Sequence, residues 1–184
     1  MVLAPRADAL GGVPQWYPTS FLAPLEANEP YLSAALEAVD RAVEEARGLG
    51  LDDGQVVIGG FSQGACLASE YAAREARRWG GVVALSGGLI GTGEAEEQTP
   101  TLRGAGGLYP DKRFDYDGAL DGTPAFFGCA ERDPHIPVER LRRSADVFRD
   151  LGADVDLRVY PGAFHTVLED EVLAVRALLD RLAP

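Results

Sequence analysis

The sequence predicts an α/β fold, with a mostly parallel sheet and helices on both of its faces. Three short runs of continuous apolar character, Gln55 to Gly60, Gly81 to Ser86 and Ala125 to Cys129, are typical of strands that are covered on both sides. Segments with a helical spacing of apolar residues lie between these runs. Alternation of strands and helices favours parallel strands that are joined by right-handed crossovers.

The composition indicates a globular protein and excludes a basic nucleic-acid binder. Asp and Glu number 29 against 17 Lys and Arg, so the formal net charge is -12, whereas phosphate contacts need clustered basic side chains. Hydrophobic residues make up 46% of the chain and charged residues 25%, which is close to the globular average and enough to bury a core. The length of 184 residues fits one domain, residues 1–184.

No feature of the sequence predicts insertion into a membrane. No apolar run approaches the roughly 20 residues that a membrane helix needs, and the start of the chain, Met1 to Gly12, lacks the pattern of a secretory signal. The two cysteines, Cys66 and Cys129, lie in small or apolar stretches. We interpret them as reduced core thiols and expect a cytoplasmic protein.

The first helix carries signals at both of its ends. Asn28 is a suitable N-cap residue, Pro30 fits the first turn, and Gly48 and Gly50 indicate where the helix ends. An apolar stripe at helical spacing predicts that one face packs against a core. The stripe consists of Leu32, Leu36, Val39, Val43 and Ala46.

The remaining elements follow in the order that a parallel sheet requires. A helix from about Ala65 to Trp79 is rich in alanine, and such small residues allow it to lie close to the sheet. The Gly-rich connection from Gly87 to Gly122 is of a length that is usually functional or mobile. Pro137 opens another helix, Asp154 to Tyr160 alternates like a strand nearer the sheet edge, and a final helix runs from Glu169 to Leu182.

Gly60-Phe61-Ser62-Gln63-Gly64 matches the pattern G-x-S-x-G. The motif lies between a buried strand and a helix, where a sharp turn exposes the serine hydroxyl at the carboxyl end of the sheet. We expect glycine at positions 60 and 64 because such a turn crowds any Cβ against its neighbours. The alternative is a plain Gly-rich turn in which Ser62 caps the helix.

A serine nucleophile needs a base, and the base needs a carboxylate that orients it. The chain has two histidines, of which His165 follows the fourth strand, while Asp133 follows the third. Both therefore lie at the same sheet end as Ser62, in the chain order Ser, Asp, His expected of an α/β-hydrolase. We predict that these three residues are catalytic.

Two alternatives to these assignments stay open. Glu131 could replace Asp133 as the acid, although Asp133 is held by the following Pro134. His135 is only two residues from Asp133, so we interpret it as a loop residue that shapes the acid turn or the rim of a pocket.

Apolar residues near the motif could form a substrate pocket. Trp16, Tyr17 and Phe21 cluster in a loop rich in Gly and Pro, where a cleft usually opens in such folds, or they form a small core beneath that loop. Leu89 and Ile90, after the second buried strand, could line an acyl pocket or serve packing alone. The chain contains no G-x-G-x-x-G, Walker loop, H-E-x-x-H or paired C-x-x-C, so we expect no cofactor and no metal.

Taken together, these stretches resemble the phospholipase/carboxylesterase family of α/β-hydrolases, which includes the acyl-protein thioesterases. The resemblance implies that Ser62, Asp133 and His165 hydrolyse small carboxylic ester or thioester substrates, with Trp16 and Tyr17 near the acyl pocket; a homodimer is compatible with it. The matching stretches are Trp16-Tyr17-Pro18, Ser20 to Pro24, Gly60 to Gly64, Gly128 with Asp133 to Pro137, and Tyr160-Pro161-Gly162 with His165.

The resemblance departs from the family at the start of the chain. Family members carry further strands and an H-G-x-G type loop before the segment that matches Val2 to Pro5. An α/β-hydrolase fold that is short at its amino terminus would keep only the backbone N–H of Gln63 as an oxyanion donor, and one lost donor costs about 2.7–4 kcal/mol. The expectation therefore divides between a piece of an ordinary esterase and a weakly active or non-catalytic binding protein. A peptidase is a third reading, because a triad alone does not distinguish amides from esters.

Overall fold

A computed structural model of the chain describes residues 1–91 and 114–182 together with the backbone of residues 101–104 and 107–110. Its strands are β1 (Ala9–Leu10), β2 (Val13–Pro14), β3 (Val57–Phe61), β4 (Gly81–Leu85), β5 (Thr101–Gly104), β6 (Gly107–Pro110), β7 (Pro124–Ala130) and β8 (Asp154–Tyr160). Its α-helices are α1 (Tyr31–Gly48), α2 (Gln63–Arg74), α3 (Val138–Asp150) and α4 (Glu169–Asp180).

The central sheet has four parallel strands in the order β3-β4-β7-β8. Each of the four strands predicted from the sequence is present, and β8 lies at an edge of this order, as its alternating pattern indicated. The expectation that β3 is covered on both sides is wrong, because β3 lies at the other edge of this order and only Ile58 among its residues is buried. The pairs β1-β2 and β5-β6 are antiparallel hairpins, and the second of them lies within the long connection between β4 and β7. The α/β prediction is therefore confirmed.

Helices cover both faces of the sheet, because alternate strand residues point to opposite sides. On one face, Val82, Ala84 and Phe127 belong to the main core, to which α1, α2 and α3 contribute apolar residues. On the other face, Val83 and Phe126 pack with Leu178 of α4. The carboxyl ends of the four parallel strands consequently share one edge, where the loops that follow them meet.

The predicted N-cap of the first helix is wrong. Asn28 ends a short 3-10 turn, and its fully buried side chain accepts hydrogen bonds from the N–H and hydroxyl of Thr19 and donates one to the Ser20 carbonyl. Because these bonds use the amide group, α1 begins later, at Tyr31; it ends at Gly48 as predicted.

The second helix is shorter than predicted, although its packing is as expected. Its alanines are buried against the sheet, but α2 ends at Arg74 instead of Trp79. Trp79 is fully buried and its N–H donates to the Thr123 hydroxyl, which draws the chain away from the helix axis toward the start of β7. The two cysteines, Cys66 and Cys129, are free and buried. None of the helices within the described residues combines the length and the apolar character that crossing a bilayer requires.

Gly87 permits the close approach of α2 to the end of β4. A Cβ at this position would overlap the Cβ of Ala65 and lie 2.9 Å from the backbone nitrogen of Cys66, neither of which can move without shifting the helix. We predict that Gly87→Ala lowers the free energy of unfolding by roughly 2–3 kcal/mol, as overpacking does. Urea denaturation measures this change.

Gly48→Ala is the matched control, because nothing lies within 4 Å of a Cβ built there and the residue is helical. That variant is expected to be neutral or more stable by up to about 1 kcal/mol. Equal stability of the two variants would contradict the packing described for α2.

Candidate active site

Ser62 occupies a strained turn between β3 and α2. Its φ of 55° and ψ of -121° lie outside the regions that residues with a side chain ordinarily adopt. The turn is held from the neighbouring strand, because the Ser62 N–H donates to the Leu85 carbonyl over 2.9 Å. Such strain persists where the surrounding structure fixes it, and here it separates the serine side chain from both the strand and the helix.

The two glycines of the motif have different roles. A Cβ on Gly60 would overlap the carbonyl carbon of Gly64 and lie 2.8 Å from the backbone nitrogen of Ala65, so this position requires glycine. A Cβ on Gly64 would meet only Trp16 Nε1, at 3.9 Å. The expectation that a Cβ at position 64 would be crowded is therefore wrong. The crowding is at position 60, where a Cβ would collide with the backbone of Gly64.

The structure brings Ser62, His165 and Asp133 into one hydrogen-bonded row. His165 Nε2 lies 2.8 Å from Ser62 Oγ, and His165 Nδ1 lies 2.8 Å from Asp133 Oδ2. The three side chains come from the loops after β3, β8 and β7, which meet at the shared sheet edge. With Nδ1 protonated, the imidazole donates to the carboxylate and presents Nε2 as an acceptor for the serine hydroxyl.

Hydrogen bonds hold the Asp133 carboxylate in its ionised form. Burial by itself raises the pKa of Asp133, but bonds from His165 and from the backbone N–H groups of His135 and Ile136 hold that pKa below its ordinary value of 3.8. The side chain is fully buried. The neighbouring Cys129 thiol lies 3.5 Å from Oδ2, so both carboxylate oxygens have fixed partners.

The rings around His165 fix its plane. Phe61 and His135 each have ring centroids 4.8 Å from that of His165, and the His135 ring stands edge-on at 71°. His135 thus shapes the surroundings of His165 and lines the rim of the cleft, in agreement with its position in the loop of Asp133. Glu131 is exposed, whereas Asp133 contacts the imidazole.

Gln63 contributes to the site through its backbone and its side chain. As the first residue of α2, its N–H has no acceptor within the helix and lies at the positive end of the helix dipole, next to Ser62. Its side chain accepts from the Trp16 N–H over 2.7 Å and donates to the Tyr17 carbonyl over 2.9 Å. Sequence reasoning missed this second role, because Gln63 and the loop are more than 40 residues apart.

A cleft of about 280 Å³ opens beside Ser62. Tyr17 and Phe21 line the cleft and also belong to the main core. These two aromatic residues therefore serve as cleft wall and as core at the same time. The described lining residues include neither Trp16, which packs against the core, nor Leu89. The residues that line the cleft are Tyr17, Ser20, Phe21, Ser62, Gln63, Cys66, His135 and Ile136.

Leu89 and Ile90 serve packing, which corrects the expectation that Leu89 lines the cleft. Both are fully buried, and the Leu89 N–H donates to the Ser144 hydroxyl over 2.9 Å. The backbone after β4 can enter the core because buried polar side chains of α2 and α3 form hydrogen bonds with its N–H and carbonyl groups. No local pattern in the 86–91 segment indicates which of its side chains face a cavity.

Two fully buried charged residues hold this segment in place. Glu70 accepts the Ile90 N–H and the Tyr116 hydroxyl, and Arg140 donates to the carbonyls of Leu89 and Gly91. An unpaired backbone group would be costly at this depth, so these bonds fix the 86–91 segment. The sequence signal that could have indicated a buried polar role for Glu70 is its position as a charged residue among the small apolar residues of α2. Among the described residues, no group of three or more His, Cys, Asp or Glu side chains is arranged to hold a metal ion.

Comparison of the chain with known proteins identifies its relatives. A model of the phospholipase/carboxylesterase family matches residues 4–104. An acyl-protein thioesterase 1 from Gibberella zeae is 30% identical over 131 residues, which are 71% of this chain and 49% of that protein. The Saccharomyces cerevisiae acyl-protein thioesterase 1 is 26% identical over 140 residues, 75% of this chain and 54% of the relative. The chain thus spans about half the length of these two thioesterases.

Solved structures give the same relationship. A phospholipase/carboxylesterase from Dyadobacter fermentans aligns with a TM-score of 0.75 at 38% identity, over 90% of this chain and 74% of that one. A Bacillus cereus carboxylesterase aligns at 0.64 with 18% identity, over 97% and 74% of the two chains, which is a likeness of fold alone. The parallel sheet and the strained serine turn define an α/β-hydrolase fold. The chain belongs to the phospholipase/carboxylesterase family.

Replacement of Gln63 by leucine removes both bonds that anchor the loop before α1. We predict that Gln63→Leu lowers the free energy of unfolding by roughly 1–3 kcal/mol, because the Trp16 N–H and the Tyr17 carbonyl lose their partner. Urea denaturation measures the loss. Gln55→Leu is the control: it removes the bond that the exposed Gln55 side chain accepts from the Asp52 N–H, which water can replace; a loss for that variant as large as for Gln63→Leu would contradict the anchoring role.

The stability of the protein should depend on pH through Asp133. Because the folded-state pKa is depressed, the stabilisation is fully present above the unfolded value of 3.8 and is lost as pH falls through the lower folded value. We predict that Asp133→Asn is less stable than the wild type by roughly 1.5–3 kcal/mol at neutral pH, and that this difference shrinks below about pH 4. Thermal unfolding between pH 2 and 7 checks this, with the exposed Asp146→Asn as the control for net charge. A difference in stability between the wild type and Asp133→Asn that does not change with pH would contradict this prediction.

Proposed function

We propose that the protein is a serine hydrolase that cleaves carboxylic esters or thioesters through an acyl-enzyme on Ser62. The observation that carries this proposal is the position of the His165 imidazole, which lies 2.8 Å from Ser62 Oγ on one side and 2.8 Å from Asp133 on the other. Membership of the phospholipase/carboxylesterase family supports it. The names of the related acyl-protein thioesterases support thioesters as one substrate class.

The proposed reaction proceeds in two halves. His165 Nε2 accepts the Ser62 proton as Oγ attacks the carbonyl carbon, and the same imidazole then donates that proton to the leaving alcohol or thiol. In the second half, His165 Nε2 takes a proton from a water molecule whose oxygen attacks the acyl carbonyl, and the imidazolium then gives that proton to Ser62 Oγ as the bond to the acyl group breaks and the acid leaves. The ionised Asp133 keeps Nδ1 protonated and stabilises the imidazolium that forms at each step.

Negative charge develops on the carbonyl oxygen during each half of this reaction. The Gln63 N–H, at the positive end of α2, is the donor that the described residues offer beside Ser62. Hydrolysis of esters and thioesters needs less activation of the leaving group than hydrolysis of amides. We therefore expect the protein to hydrolyse esters and thioesters faster than peptide amides, although a triad by itself can serve both classes.

A fluorophosphonate probe tests whether Ser62 is activated. We predict that the probe labels the folded protein at Ser62 and that Ser62→Ala abolishes labelling. The same variant is expected to lower the kcat for a short-chain p-nitrophenyl ester by at least about a thousandfold. Ser69→Ala is the matched control, because Ser69 lies on α2 with its hydroxyl bonded to the Ala65 carbonyl, away from the described cleft; it should keep both labelling and hydrolysis.

The competing function is a binding protein that holds ligands in the same cleft without turning them over. A binding protein would bind esters, but the wild type would hydrolyse them no faster than the Ser62→Ala variant does. Folded protein that is neither labelled nor active would contradict the hydrolase proposal and favour the binding protein.

A further inference from the structure

Glu171 holds the far end of the loop that carries His165. The Leu168 N–H donates a hydrogen bond to Glu171 Oε2 over 2.8 Å. Within the part of the chain that the structure describes, no hydrogen bond involves the main chain of residues 163–167. The bond at Leu168 is therefore the first main-chain anchor after His165.

The near end of the same loop is tied to the loop of Asp133. The Arg132 N–H, one residue before Asp133, donates to the Gly162 carbonyl over 3.0 Å. His165 is thus held between an anchor on each side. The position of the second anchor depends on where the Glu171 carboxylate lies.

The Glu171 carboxylate is buried against Gly128 of β7. The residue is 1% exposed. A Cβ built on Gly128 would overlap Glu171 Oε1 and lie 3.1 Å from its Cδ, so the carboxylate occupies the space that a side chain there would need. Strand β7 pairs with β4 and β8 on its two sides and leads into the loop of Asp133. One carboxylate therefore connects the loop of His165 with the strand that positions Asp133.

Helix capping alone does not explain this placement. A glutamate at the third position of a helix caps the first turn equally well from the surface, whereas burial of a carboxylate is costly. Burial raises the pKa of Glu171 above its ordinary value of 4.5, the bond from the Leu168 N–H lowers it in part, and the charge of Asp170 raises it again. The position therefore makes use of the acceptor oxygens and the shape of Glu171, and gains nothing from its negative charge.

We propose that Glu171 is a positioning residue for the base. By bonding Leu168 and filling the space beside Gly128, it keeps His165 within 2.8 Å of both Asp133 Oδ2 and Ser62 Oγ. It acts through His165 and touches no substrate. This inference rests on the proposed hydrolase function and adds a residue on which the same site depends.

Glu171→Gln and Glu171→Met form a matched pair that tests the proposal. Both side chains are neutral and keep the length of glutamate, but only glutamine keeps an oxygen acceptor for the Leu168 N–H. We expect Glu171→Met to lower kcat for a short-chain p-nitrophenyl ester by about tenfold to a hundredfold, the effect of a displacement of about 1 Å. KM should change by less than about twofold, because Glu171 is absent from the described cleft lining. Glu171→Gln should keep kcat within about threefold of the wild type.

Two controls separate positioning from a general loss of stability. Glu169→Met makes the same change at an exposed acid in the same turn of α4. Leu178→Val weakens the packing of α4 on Val83 and Phe126 and leaves the contacts of Glu171 in place. Both variants should keep the kcat of the wild type, measured at a temperature at which every variant is folded.

The outcomes separate this inference from the hydrolase proposal. A kcat for Glu171→Met within about threefold of that for Glu171→Gln, or an equal loss in Leu178→Val, overturns the positioning role and leaves the hydrolase intact. Absence of any Ser62-dependent hydrolysis in the wild type overturns both. If Glu171→Met does not fold, Glu171→Asp takes its place, because it withdraws the carboxylate from Leu168 by one methylene. A loss of kcat of at least about tenfold in that variant supports the inference, and a smaller loss overturns it.

Discussion

The strained turn at Ser62 is the constraint on which the rest of the site depends. A residue with a positive φ directly between a strand and a helix places its side chain away from both elements. In this turn the backbone of Gly64 occupies the space that a Cβ on residue 60 would need, so residue 60 must be glycine. A hydrogen bond from the Ser62 N–H to the Leu85 carbonyl holds the turn in place. The same turn begins α2, so the Ser62 hydroxyl and the Gln63 N–H are positioned by one piece of backbone.

Support for this turn comes from interactions that lie outside the hydrogen-bonded row of Ser62, His165 and Asp133. Gln63 ties the loop of Trp16 and Tyr17 to the start of α2, and Glu70, two turns further along the helix, holds the segment after β4. Helix α2 therefore connects Ser62 with the Tyr17 wall of the cleft and with the core segment after β4. Because each of these bonds joins groups distant in sequence, their loss should loosen the cleft before it alters the fold. The rigidity that results is the kind that preorganised active sites require.

Much of the fold could be predicted from the sequence, because buried parallel strands read as continuous apolar runs and the loops after them share one edge. The positions of Ser62, Asp133 and His165 relative to each other followed from the same rule. The side chain of Asn28 suits a helix cap, but only the three-dimensional neighbourhood shows that Thr19 and Ser20 use it. Leu89 was equally ambiguous, since an apolar side chain serves a cleft wall and a core in the same way.

The claim of a covalent intermediate is tested most directly by mass spectrometry of the protein quenched in acid during turnover of a slowly hydrolysed ester. A mass increase equal to one acyl group is expected, located by proteolysis on the peptide that contains Ser62 and absent after turnover is complete. Turnover without any such adduct, or an acyl group on the Cys66 thiol instead of the serine hydroxyl, would contradict it.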